Sequence, residues 1–435
     1  MKRNTLYTLA VTLLLAACND YDAAYTPYEE TEDDVVTITP PAIDPSWELV
    51  LVSNVGQHDE NVFVYKDKKY DNLFTRTLGW NGGSGGKSTM LPDGNILWSF
   101  NDSYFGVVDP ATRARENCRI PHNSLMLQTQ KDGKTGEEMA NLEWKATYIQ
   151  TDNPEAEGYY QAYTHIIPSA AGEEDEETLP NTDVYYQAGD AVVIGDKIQL
   201  LWHLVDKTQS QSETAWNGTC LAVYDFNGNL IEKQEDFSAD MVGYGTTMLE
   251  DGDYIYLYAS ENGRPLVARA LRSEGLKSGW QYYIRNTVTG TFEWIDTYPT
   301  EDERMRSFIV ENGIGLSPWV FKKGDSYYMV MQHTSKDIVY GHNVDIYRSD
   351  SPCGPFTDQK TLFTVPYTVD KIGNQYYADV TNINLHPELS REDELVFSVS
   401  TSANMDGDNF TYPGSADFTR PYFFRIFNWE SLYKK

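Results

Sequence analysis

Between Gly82 and Gly106 two apolar runs flank Asp93-Gly94, with glycines crowding the start of the first run and a carboxylate, Asp102, near the end of the second. Asp-Gly between strand-like runs predicts a β-hairpin with a two-residue type I′ turn. Pairing outward from that turn sets Pro92 against Asn95 and Gly85 against Asp102. The pattern recurs four times. Gly189–Ile194 turns at Gly195-Asp196 into Lys197–His203, and Tyr244–Leu249 passes through 250–253 into Tyr254–Ala259. Gly315–Phe321 turns near Gly324-Asp325 into Tyr327–His333, and Tyr377–Leu385 returns by a longer loop into Leu395–Ser400.

Each hairpin is followed by further strand-like sequence: Ser124–Gln128, Cys220–Tyr224, Pro265–Arg269, Val344–Arg348 and Pro421–Ile426. Repeated sheet units of roughly 50 to 100 residues are what a β-propeller produces, and five units imply five blades. The fold class expected is therefore all-β, a five-bladed propeller in one domain. Asn61–Tyr65 is an early strand expected to complete the last blade and close the ring. The largest insertion runs from about 152 to 183 and carries the acidic run 173–177, a solvated stretch.

Composition agrees: aromatics are 13% of the 435 residues, with 31 Tyr. With 65 Asp+Glu against 34 Lys+Arg the formal charge is -31, which repels nucleic-acid phosphates. The N-terminus changes the picture more. Lys2 and Arg3 lead into an apolar run from Leu6 to Ala17, too short to span a bilayer, and Leu15-Ala16-Ala17-Cys18 follows. This resembles a bacterial lipoprotein signal, which implies cleavage before Cys18 and its lipidation. The expected division is a signal peptide over 1–17, a lipidated acidic tether over 18–46 and the propeller over 47–435. Acidic residues after the lipidated cysteine resemble surface-exported lipoproteins of Gram-negative polysaccharide foragers, implying the outer face of the outer membrane and neighbouring glycan-uptake partners. Cys118, Cys220 and Cys353 form neither a metal motif nor a complete disulfide set, and read as buried small side chains.

Trp80-Asn81-Gly82-Gly83, Leu91-Pro92-Asp93-Gly94, Phe100-Asn101-Asp102-Ser103, the run 351–356, Tyr377-Ala378 and His386-Pro387-Glu388-Leu389 together resemble five-bladed propellers of the glycoside hydrolase type. Related families cleave arabinan, xylan and furanosides, and the likeness covers about 47 to 433. It implies a poly- or oligosaccharide partner and a carboxylate pair at the propeller mouth. The rival expectation is a surface protein that binds glycan without cleaving it and feeds a transporter.

In a propeller the start of each innermost strand and the end of the second share one rim. Counting from each turn puts Ser84 and Asp102, Asp190 and His203, Tyr244 and Glu261, Ser317 and His333, and Asp379 with Ser402 and Asn404 on that rim. Glycoside hydrolysis needs one carboxylic acid and one carboxylate, so Asp102, Asp190 and Glu261 are the catalytic candidates. The resemblance implies the acid on blade three, hence Glu261. It also implies an aspartate where Ser84 stands, and a hydroxyl does not replace it. Trp80, Trp319 and Tyr377 are candidates to stack on sugar faces, with Tyr244 beside them on the same rim. His333 and His386 are candidates for sugar hydroxyls, Arg304 and Arg306 for an anionic or hydroxyl-rich ligand, and Asp379 for substrate or an axial ion. No cofactor is expected. Calcium is the alternative, because the run 404–408 holds hard oxygen ligands, though without the calcium-loop spacing. Gly86-Lys87-Ser88 echoes a phosphate loop, but a turn follows where a helix is needed.

Overall fold

Strands such as Lys-Ile-Gln-Leu-Leu-Trp-His-Leu-Val-Asp over 197–206 carry apolar residues on both faces. Near-continuous apolar runs belong to sheets covered on both sides, and stacking blades around an axis provides that cover. A computed structural model of the chain has this architecture. It describes residues 44–50, 59–129, 141–144, 148–150, 160–173, 182–209, 216–334, 341–366, 379–402 and 412–434.

In chain order, β1 (Trp47–Leu49) and β2 (Phe63–Asp67) precede a short helix, α1 (Lys68–Asp71). Blade one follows as β3 (Leu78–Met90), β4 (Ile96–Val108), β5 (Arg115–Arg119), β6 (Ser124–Thr129) and β7 (Asn141–Trp144). A small hairpin, β8 (Tyr148–Gln150) and β9 (Tyr160–Ala162), leads to blade two: β10 (Val184–Ile194), β11 (Lys197–Asp206), β12 (Trp216–Tyr224) and β13 (Leu230–Ser238). Blade three has β14 (Thr247–Asp251), β15 (Tyr254–Glu261), β16 (Arg264–Leu271), β17 (Gln281–Arg285) and β18 (Phe292–Ile295). After α2 (Glu301–Arg304), blade four is β19 (Gly315–Lys323), β20 (Ser326–His333), β21 (Asn343–Ser349) and β22 (Thr357–Thr364). Blade five takes β23 (Asp379–Leu385), β24 (Glu394–Ser402) and β25 (Tyr422–Phe427), then β2 and β1 from the other end of the chain. The expected closure is present: Phe63 pairs with Phe427 and Tyr65 with Arg425.

Five apolar clusters fill the five gaps between blades. Trp202 and Tyr224 of blade two meet Leu97 and Leu125 of blade one, for example, and Trp319 of blade four meets Phe397 and Phe424 of blade five. Near the axis each blade hydrogen-bonds to a carbonyl of the next. Lys87 Nζ donates to the Ala188 carbonyl at 2.7 Å and the Asp190 N–H to the Gly245 carbonyl at 2.8 Å. Thr247 Oγ1 donates to Pro318, Gln332 Nε2 to Val380 and Asn384 Nδ2 to Gly85, each at 2.5 Å. These contacts close a ring in which carbonyls near the irregular parts of the innermost strands do not go unpaired.

The first hairpin corrects the expected turn and register. Met90 pairs with Ile96, and Leu91 to Asn95 form the loop. The Gly94 N–H donates to the Leu91 carbonyl and Leu91 to Asn95, with positive φ at Gly94 but not at Asp93. This is a three-residue turn ending in a left-handed glycine. The ladder then shifts on both sides of Gly85, which pairs with Phe100 and not with Asp102. Bulges lie at matching places in β10, β19 and β23, between 188 and 191, 316 and 319, and 381 and 384. Each adds a residue and re-aims the side chains beside it.

Candidate functional site

Asp102 lies midway along β4, between the part that pairs with β6 and the part that pairs with β5, with its side chain 49% exposed. His122 Nδ1 lies 3.0 Å from its Oδ1, and the imidazole lies flat on buried Tyr185, ring centroids 4.4 Å apart and 12° from parallel. A carboxylate accepts, so Nδ1 carries the proton and Nε2 faces away from Asp102. Among the described residues neither Asp102 Oδ2 nor His122 Nε2 has a hydrogen-bond partner. The sequence reading missed His122, whose one local signal is the Pro121-His122-Asn123 turn ahead of β6.

Next to Asp102, Asn101 Oδ1 accepts from the Ala188 N–H at 2.8 Å. Lys87 holds the carbonyl of the same residue, so blade one grips blade two at both polar atoms of Ala188. Two residues on, Asp190 is enclosed, 6% exposed, and does not stand open on the rim. Its Oδ1 accepts from Ala191 N at 2.9 Å and its Oδ2 from Met248 N at 2.8 Å. Burial pushes the Asp190 carboxyl up to about 6, against the pull of Lys87 and the two backbone donors. Burial pushes the Lys87 ammonium down to about 8, opposed by Asp190. Ser84 is half-buried between the paired glycines Gly83 and Gly85.

Glu261 ends β15 with both oxygens occupied: Arg304 donates from Nε to Oε2 at 3.0 Å and from Nη2 to Oε1 at 2.9 Å. A capping box at Thr300 and Glu303 fixes α2, which ends in Arg304, and the guanidinium also reaches the Pro299 carbonyl. On blade four, His333 ends β20 with Nδ1 2.8 Å from Oδ2 of Asp345.

Other expected site residues lie elsewhere. Trp80 is fully buried among Phe74, Trp98 and Phe100 in the core between blades five and one, and Trp319 is buried in the core between blades four and five. Tyr244 is buried edge-on against Tyr282, its backbone N–H bound to Asp240. These rings fill gaps between blades, because sheet stacking needs large apolar volume there, and they are not open to a ligand at the mouth. His203 is buried beside Trp216, and His386 is also fully buried. Ser88 Oγ lies 2.5 Å from His386 Nδ1 and Ser398 Oγ lies 2.8 Å from Nε2, while burial pushes the His386 ring down to about 3. Arg306 is exposed, 3.6 Å from Asp302. Asp379 opens β23 opposite Ser402. Tyr377 and Cys18 lie outside the described residues, as does the run 404–408. Among the described residues no group of three His, Cys, Asp or Glu side chains is placed to hold a metal ion.

Comparison with known proteins adds the following. The family model described as a domain of unknown function, DUF5005, matches residues 67–429. The crystal structure of a candidate hydrolase from Bacteroides ovatus is 45% identical, with a TM-score of 0.84 over 92% of this chain and 98% of that one. A GH43_1 enzyme from Xanthomonas citri, solved with xylotriose, is 14% identical with a TM-score of 0.41, over 87% of this chain and 92% of that one. No functionally curated protein matches the chain. The match over nearly the whole propeller, with the 45% identity to the Bacteroides ovatus protein, makes this chain a member of the DUF5005 family.

Proposed function

We propose that the protein hydrolyses glycosidic bonds of a polysaccharide or oligosaccharide at the propeller mouth, with Asp102 as the carboxylate that meets the substrate. One observation carries this reading: Asp102 is half open to solvent with one oxygen on the His122 N–H. The imidazole keeps the carboxylate oriented while the other oxygen faces outward, which suits proton transfer to or from water or a glycosidic oxygen. Asp190 is enclosed, so its part is electrostatic, setting the charge at the floor of the mouth through Lys87. The Bacteroides ovatus relative, described as a candidate hydrolase, supports the reaction class.

A second reading, glycan capture without cleavage, is favoured by two features. Ser84 stands where the resemblance implies an aspartate, and both Glu261 oxygens are held by Arg304. Product release from a panel of arabinans, xylans and other glycans by the full chain, beside its Asp102→Asn variant, separates the two. Hydrolysis predicts release that falls at least about a hundredfold in the variant. No release, with one glycan retarded equally by both proteins in an affinity gel, establishes capture.

We place the protein at the outer face of the outer membrane, anchored through lipidated Cys18 and working beside glycan-uptake proteins; the Leu15–Cys18 pattern supports this. Labelled palmitate should enter the wild-type chain and not Cys18→Ala, which should leave the membrane fraction. Retention of that variant in the membrane would overturn the anchor.

A further inference from the structure

His333, the last residue of β20 on blade four, is held as His122 is on blade one. Its Nδ1 donates to Oδ2 of Asp345, and Gln359 Nε2 donates to the same oxygen at 2.7 Å. The Asp345 side chain is 4% exposed, whereas the His333 side chain is 40% exposed. A buried carboxylate braced by a neighbouring amide thus fixes a half-exposed imidazole in one orientation and one tautomer, with Nε2 turned away from the carboxylate. Among the described residues Nε2 has no partner. Ordering a surface imidazole in this way achieves nothing for the core, where His333 makes no contribution to the apolar clusters.

The surroundings of His333 suit a sugar. Gly315, paired with His333, donates its N–H to the Gly263 carbonyl at 2.7 Å and accepts from Ser260 Oγ at 3.1 Å. The tip of the β15–β16 hairpin, with Glu261 and Asn262, therefore lies against the same strand. Asn262 Nδ2 rests 3.8 Å from Met305 Sδ, and Met305 and Ile314 are among the exposed apolar side chains of the molecule. Glu261 and Arg304 satisfy each other and form a wall. A sugar ring has C–H faces that pack on such apolar chains and hydroxyl edges that need fixed donors and acceptors. Asn262 and His333 Nε2 provide those.

We propose that the corner between blades three and four is a second glycan subsite, in which His333 Nε2 bonds a sugar hydroxyl. A chain bound at Asp102 on the blade-one side of the mouth then extends across to blade four, so the substrate class is a polymer and not a disaccharide. This rests on the glycan reading above.

The test uses the full chain and a ladder of oligosaccharides, from the disaccharide upward, of whichever glycan the panel identifies. The quantity read is KM for the longest member against KM for the shortest. His333→Ala should shift that ratio about tenfold against the long chain, the loss of one well-oriented hydrogen bond. Asp345→Asn keeps the shape, removes the charged acceptor and should shift the ratio in the same direction. His333 is half-exposed, so its variant is expected to fold, and an unchanged melting midpoint checks this. Wild-type hydrolysis with a ratio that His333→Ala leaves unaltered overturns the second subsite and leaves the hydrolase reading standing. If the wild type cleaves nothing, the hydrolase reading falls and the ratio is taken from dissociation constants on the same ladder. If no glycan binds, both fall.

Discussion

At the scale of single residues, the buried carboxyls are the groups most out of place. Burial pushes Asp71 up to about 7 and Asp240 up to about 6, as it does Asp190. Glu388 is the most informative of them because Ser88, on the innermost strand of blade one, donates to it from across the gap to blade five. Its carboxyl is pushed up from 4.5 to about 7, mainly by burial, with Asp190 adding a little and Ser88 opposing. A folded-state value above the unfolded one means the native protein binds the proton more tightly. The stabilisation is therefore complete below about pH 4.5 and lost as pH rises through about 7. Part of the side chain still meets solvent, so the effect is about 2 kcal/mol and not the 3 or more that full enclosure gives. Glu388→Gln keeps the shape and the acceptor and removes the proton. Urea unfolding at pH 4.5 and 7.5 should show wild-type stability dropping over that interval by about 2 kcal/mol more than the variant's. Equal drops would mean that Glu388 is not enclosed in solution.

At the scale of elements, the hairpins were legible and their registers were not. Strand after strand announced itself through runs such as Tyr254–Ala259, and the two-residue turns at 195–196 and 324–325 fall where Gly-Asp stands. Register failed where bulges intervene, because an inserted residue leaves no mark in a pattern of alternating or continuous apolar positions. Around Gly85 the ladder shifts twice, and Gly82 shows why this stretch tolerates so few side chains. A Cβ there would lie 2.3 Å from Arg115 Nη2 and 2.7 Å from the Thr419 carbonyl. The glycine cluster thus serves the packing of blade one against the 412–420 segment, where Arg115 also bonds the carbonyls of Ser415 and Phe418. Aromatics misled for a related reason. Trp80 stands third in β3 and Trp319 midway along β19, but two-sided blades bury both faces, so position along a strand does not separate a mouth ring from a core ring. His122 was illegible as a site residue because its partner, Asp102, lies 20 positions away, and Arg304, expected to meet a ligand, is held instead by Glu261, 43 positions away.

At the scale of the whole propeller, the ring must be held shut where β2 joins the last sheet beside β25. Blade five is built from β23 to β25 and completed by β2, and its closing contacts are ionic as well as backbone. Arg425 on β25 donates from Nε to Asp67 on β2 at 2.6 Å and from Nη1 to Glu394 on β24 at 2.8 Å. All three side chains are 5% exposed or less. Arg391 pairs with the same glutamate from the surface, and the Phe423 N–H donates to Asp71 at 2.6 Å. One guanidinium therefore joins the chain's first part to two strands of its last sheet. Removing it leaves Asp67 with no described cation and Glu394 with only Arg391, both carboxylates out of water, a change worth about 3–5 kcal/mol. By contrast Lys277 and Glu232, 2.6 Å apart with both side chains more than 40% exposed, form a pair whose loss should change stability by less than about 1 kcal/mol. Arg425→Ala should thus lower the denaturation midpoint far more than Lys277→Ala. It should also free β1 and β2 first, seen as faster protease cleavage before residue 67 while the other four blades stay protected. If Arg425→Ala unfolds no more easily than Lys277→Ala, backbone pairing and the core between blades four and five close the ring without the buried charges.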